Sequence, residues 1–134
     1  RDPSLMGMET LKNIMEQGDA SWIAQQMMSQ NKLFDAFIDL LCHPTWSVRL
    51  GAMVIIEELT ESSPALALQL CPVLIEIFDT QDVPVQGDLL YALGEAGGPD
   101  TAGWIESRQP SLTHPDLADA AREAVESIQD RQNK

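Results

Sequence analysis

The groups in this chain that could do chemistry are few in kind. They are two histidines, His43 and His114, two cysteines, Cys42 and Cys71, and a large excess of carboxylates. Metal capture or nucleophilic catalysis needs such groups at coupled spacings, and those spacings are missing. The sequence holds no Cys-x-x-Cys, no His-Glu-x-x-His, no Gly-x-Ser-x-Gly and no Asp-rich calcium loop. His43 and His114 each precede a proline and occupy equivalent turns in different units of the chain, which makes them poor joint ligands. Each cysteine closes an apolar run, Leu40-Leu41-Cys42 and Leu70-Cys71, and reads as a buried free thiol. Gly94, Gly97 and Gly98 fall at a helix end, where glycine is a stop signal rather than a phosphate cradle. No catalytic, cofactor-binding or metal-ligating residue is expected, and the chain reads as a non-enzyme.

What remains is the attraction of carboxylates for cations. Asp plus Glu number 21 against 8 Lys plus Arg, a formal net charge of −13. Phosphate backbones and anionic lipid are repelled by such a surface, so a protein with a basic segment is the expected partner, with no nucleic acid and no membrane. The excess is concentrated. Between residues 43 and 97 eight acidic residues face Arg49 as the sole base. The expected partner-binding set is Glu57, Glu58 and Glu95, with Met53, Leu90 and Tyr91 beside them and Trp46 as an anchor. Arg49 is expected to bond an acidic residue or a helix-end carbonyl of a neighbouring repeat.

Helices must position these residues. Apolar spacings of three and four recur along the chain, with no sustained alternation of two. The punctuation predicts helices over about 4–17 (capped by Ser4, ended by Gly18), 19–30, 31–42 (capped by Asn31) and 45–61. Further helices are predicted over 63–79, with Ser63 as cap, Pro64 at the first position and a kink or split at Pro72, then over 83–96, 100–108 and 115–131. Residues 73–78, Val-Leu-Ile-Glu-Ile-Phe, could alone pass for a strand, but no partner strand is evident. The N-terminal helices are rich in methionine (Met6, Met8, Met15, Met27, Met28), suited to packing or to docking against another domain.

Three of the helices share one rhythm. From Val48, offsets of 4, 8 and 11 give Ala52, Ile56 and Leu59. From Val85 they give Leu89, Leu93 and Ala96, and from Leu117 they give Ala121, Val125 and Ile128. All these positions are apolar, and a His-Pro or Asp-Val-Pro turn opens each segment. In the second helices, offset 10 aligns Glu58 with Glu95, so these two are expected near one another.

The segments 43–59, 82–97 and 114–128 resemble the HEAT-repeat family, above all its shorter bacterial HEAT-like form. Val48-Arg49 with Ala52, and Leu93-Gly94, match the family pattern. Gln86 and Ala118 depart from it where an Arg is expected. The resemblance covers about residues 31–130 and implies an all-α, right-handed α-α superhelix (solenoid) of about four antiparallel helix pairs. Within a single domain, 1–134, residues 4–30 would be a divergent first pair and 31–61, 63–97 and 99–131 the repeats. The second helices would line a concave face. The family resemblance implies scaffolds and protein-binding surfaces, some of which assist cofactor attachment on other proteins; a pocket for an acidic cofactor conflicts with this acidic surface.

The expected function is therefore a non-catalytic protein-interaction or scaffold module with an acidic concave face. The alternative is an intramolecular docking or regulatory domain of a larger enzyme, such as a thioredoxin-like redox protein. The chain does not open with Met, and Arg1-Asp2-Pro3 reads as the remnant of a linker in a longer polypeptide. No apolar run approaches membrane-spanning length and no leader pattern is present, so a cytoplasmic location is expected.

Overall fold

Proline, glycine and the acidic caps divide the chain where helical hydrogen bonding fails, and between those points it is helical. The computed structural model describes residues 2–134, which contain no strand; Arg1 of the expected linker remnant lies outside them. The helices are α1 (Met8–Ile14), α2 (Ala20–Gln30), α3 (Asp35–Leu41), α4 (Trp46–Ser62), α5 (Pro64–Leu68), α6 (Leu70–Ile77), α7 (Val83–Ala96), α8 (Pro99–Arg108) and α9 (Pro115–Gln132). The chain divides into two compact bodies, the first ending at Gln69 and the second running from Leu70 to Lys134.

The helix break at that boundary is explained by Pro72. A proline here has no N–H to give the Leu68 carbonyl and its ring collides with it, so the predicted 63–79 helix is split into α5 and α6. Pro72 then sits in the first turn of α6, where no N–H is required. Residues 73–77 are helical, as the lack of a partner strand required, and Phe78–Thr80 closes the segment with a 3-10 turn.

The N-terminal body differs from expectation at two caps. Ser4 caps no helix: α1 starts only at Met8, after Gly7, and Ser4 lies in a 3-10 turn over Pro3–Leu5 that the Asp2 carboxylate caps by accepting the Ser4 N–H at 3.0 Å. Gln30 Nε2 donates to the same carboxylate at 3.0 Å, tying the end of α2 to the chain start. Asn31 ends α2 rather than capping α3. It takes the left-handed conformation (φ 50°), and its N–H returns to the carbonyls of Met27 and Met28. Gly18 does end the first helical run: at φ 92° it kinks the chain between the helical run continuing from α1 and the start of α2 at Ala20. In this body α1 packs on α3, and α2 packs on α4. Leu11, Ile23, Met27, Phe34, Phe37 and Leu40 are fully buried, each such side chain contributing about 1.5–3 kcal/mol.

The C-terminal body is likewise built of helices packed in contact. α7 packs on α9, while Phe78, just after α6, meets Trp104 of α8 edge to face at 5.5 Å. Arg108 closes that corner. Its guanidinium lies 5.6 Å from the Phe78 ring and 5.4 Å from the Trp104 ring, and it bonds Asp79 through both terminal nitrogens, at 3.3 and 2.7 Å.

All twelve positions of the repeated rhythm are buried, from Val48 to Ile128. The residues at offset 7, Ile55, Ala92 and Ala124, are buried with them. Offsets 3, 7 and 10 run along one line of a helix. In α9 that line, Ala120, Ala124 and Ser127, faces α7. In α4 it faces the N-terminal helical run: Met15 covers Gly51, and Ser21 donates to Glu58 at 2.7 Å.

Candidate functional site

The turns before the three aligned helices are built by side chains of chemically capable types. His43 Nδ1 accepts the Thr45 N–H at 3.0 Å, and His114 Nδ1 accepts the Asp116 N–H at 3.1 Å. Asp82 performs the same task in the middle turn, accepting the Val85 N–H at 3.3 Å. Each therefore satisfies a backbone donor near a helix start, a structural duty. Arg49 is buried, and its Nη1 donates to the His43 carbonyl at 2.8 Å and the Pro44 carbonyl at 3.1 Å. A helical side chain leans toward its own N-terminus, so Arg49 reaches carbonyls of the turn leading into its own helix.

The thiols are similarly occupied with packing. Cys71 is buried, and Cys42 is half-buried. Burial pushes both thiols above the ordinary value; Asp39 adds to the rise at Cys42, while Thr101 and Arg131 partly counter it at Cys71. Among the described residues no group of three or more His, Cys, Asp or Glu is placed to hold a metal ion.

The expected partner-binding residues do not share one fate. Trp46 is 63% exposed at the first position of α4. Glu57 is exposed, and Glu58 is half-buried as the acceptor for Ser21. Met53, expected beside them, is instead a core residue at 5% exposure. In the C-terminal body Tyr91 is 44% exposed and Glu95 half-buried, but Leu90 is fully buried. Met53 and Leu90 occupy the same offset, and the reason is shared. α4 is packed by α2, α3 and α5, and α7 by α6 and α9, so the apolar arc of each is wider than a one-sided helix requires. Arg122, at that offset in α9, is exposed and pairs with Asp119 at 2.9 Å and Glu126 at 3.8 Å.

What replaces Met53 on the surface is a stripe that the sequence reading passed over. Leu50 and Val54 are 48% and 52% exposed and continue the line of Trp46 at steps of four. The stripe leads to Glu57 and Glu61, both exposed. Trp46 was expected as an anchor, but its continuation to Leu50 and Val54 at steps of four was not read from the sequence.

Comparison of the chain with family models, curated proteins and solved structures gave no match. Among the described residues no helix is long and apolar enough to cross a membrane.

Proposed function

We propose that the chain is a non-catalytic protein-interaction module of the HEAT-like type, a right-handed α-α superhelix, and that it takes a basic amphipathic segment of another protein. One observation carries the binding part: the exposed apolar stripe Trp46, Leu50 and Val54 on α4, running into Glu57 and Glu61. Large apolar side chains grouped on one exposed helical line cost solvation unless something covers them. The acidic end favours a covering segment with Lys or Arg next to its apolar residues.

The repeat reading is supported by the burial of all twelve aligned positions. It is supported also by the common duty of His43, Asp82 and His114 in the preceding turns. The same helical line faces the preceding layer in α4 and in α9. A stack of equivalent helices is what repeats of this kind produce. The non-catalytic reading rests on the engagement of both histidines and both thiols in building the fold.

The test is selection from a random displayed-peptide library with the whole chain as bait. Selected peptides should be enriched in Lys and Arg with apolar residues at helical spacing. Their affinity should fall at least tenfold with Leu50→Ser and Val54→Ser together, and should fall as salt is raised. Enrichment of acidic peptides, or affinity indifferent to both substitutions, would overturn the reading.

A further inference from the structure

The C-terminal body holds a cleft of its own, between α7 and α9. Tyr91 and Glu95 line it from α7, and Ala120, Glu123 and Ser127 from α9. Its floor is the contact of Gly94 with Ala124, where the two helices approach so closely that a Cβ at position 94 would fall 2.8 Å from the Ala124 Cα. Small residues at the floor and longer ones at the rim make the depression. Its volume is about 140 Å³, close to the roughly 150 Å³ of a cavity that admits a benzene-sized group.

We infer that this cleft receives one arginine side chain of the docking partner, with Glu95 and Glu123 meeting the guanidinium charge and Tyr91 packing against its plane. The inference rests on the protein-docking reading above, in which the partner carries Lys or Arg. The rim chemistry excludes the other occupants. A purely apolar group would strip water from two carboxylates without replacing it. A hard divalent cation on the two carboxylates would keep most of its ligand shell as water, and among the described residues no group of three or more His, Cys, Asp or Glu is placed to hold a metal ion. An anion would be repelled. Among the described residues neither Glu95 nor Glu123 has a salt bridge within the chain, whereas the adjacent Arg122 is already tied to Asp119 and Glu126. Between the two basic side chains, arginine fits better than lysine. Its planar fork can meet carboxylates on both walls, it is less strongly hydrated, and it stacks on aromatic rings.

The experiment is an amide-resolved NMR titration of the whole chain with N-acetyl-arginine methylamide. Its uncharged isostere, the citrulline derivative, serves as control. Saturable shifts confined to Tyr91, Gly94, Glu95 and residues 120–127, absent with citrulline, are expected. Glu123→Gln should weaken the response at least fivefold. Ala120→Leu keeps both carboxylates but fills the cleft, and should abolish saturation while leaving the rest of the spectrum in place. Shifts spread over every acidic residue without saturation, an equal response to citrulline, or indifference to both substitutions would overturn the inference. The small probe needs no partner, so its result stands apart from the fate of the α4 stripe. Selected peptides that lose affinity with the α4 substitutions but not with Ala120→Leu would remove the cleft and leave the docking reading intact.

Discussion

Gly94 and Ala124 meet across the α7–α9 contact with no room for a side chain on Gly94. A Cβ there would lie 2.8 Å from the Ala124 Cα and 3.0 Å from its Cβ. The obstacle is backbone, which cannot swing aside. Gly94 therefore sets the spacing of two helices rather than stopping one. Gly97 is likewise held by close approach, to the Leu93 carbonyl and Thr101, at an extended φ of −81°. Gly94→Ala gains about 1 kcal/mol of helix propensity against an overpacking cost of about 1–3 kcal/mol. The expected outcome is a net loss of up to about 2 kcal/mol, read from the urea midpoint. Gly87, with open space around its would-be Cβ, should gain stability from the same substitution, by a few tenths to about 1 kcal/mol.

Arg49 makes a second case. Its buried guanidinium satisfies the carbonyls of His43 and Pro44. Arg49→Met keeps much of the volume and leaves both carbonyls without this donor. Unsatisfied groups of this kind cost about 1–3 kcal/mol, so a loss of that size is expected in chemical unfolding. Arg49→Lys should recover only part of it, because both bonds come from Nη1 and the lysine nitrogen, one bond nearer the backbone, falls short of that position. Full stability in Arg49→Met would show that water replaces the guanidinium at no cost.

The helices and their apolar rhythm were legible because a period of 3.6 residues writes itself into any helix buried on one side. That is why the positions from Val48 to Ile128 fell inside as expected. Met53 and Leu90 were misplaced because periodicity reports one buried face, while packing from several sides extends it. A trace of this was nevertheless in the sequence: the shared offset is apolar in α4 and α7 and becomes Arg122 in α9. Asn31 was misassigned for a different reason. A polar residue between two helices can cap either, and only its left-handed backbone decides for the end of α2. The α7–α9 cleft was hidden because its shape comes from Gly94 and Ala124, two residues with no chemistry of their own.

His114 offers the cleanest test of the turn design. Its Nδ1 caps α9 by accepting the Asp116 N–H. His114→Ala should cost about 0.5–2 kcal/mol, the usual range for losing a helix cap. His114→Asn, whose side-chain oxygen can take the same donor, should restore most of it. If alanine and asparagine are equally destabilising in thermal unfolding, the ring serves by packing and not by capping.

The cysteines give a pH dependence with a definite sign. Burial raises the thiols of Cys42 and Cys71 above their ordinary value of 9.0. A thiol with a higher pKa in the folded chain holds its proton longer there than in the unfolded chain. As pH rises past about 9 the unfolded chain deprotonates first, so the folded state loses stability in that window and none is lost on this account at neutral pH. Urea midpoints measured from pH 7 to 10 should therefore decline at the alkaline end, and the decline should be shallower with Cys42→Ala and Cys71→Ala together. Thiol labelling at pH 8 gives an independent check. Half-buried Cys42 should react first, and buried Cys71 only as fast as the C-terminal body opens. Equal labelling rates in the folded chain would mean that the Cys71 environment is more open than its burial indicates.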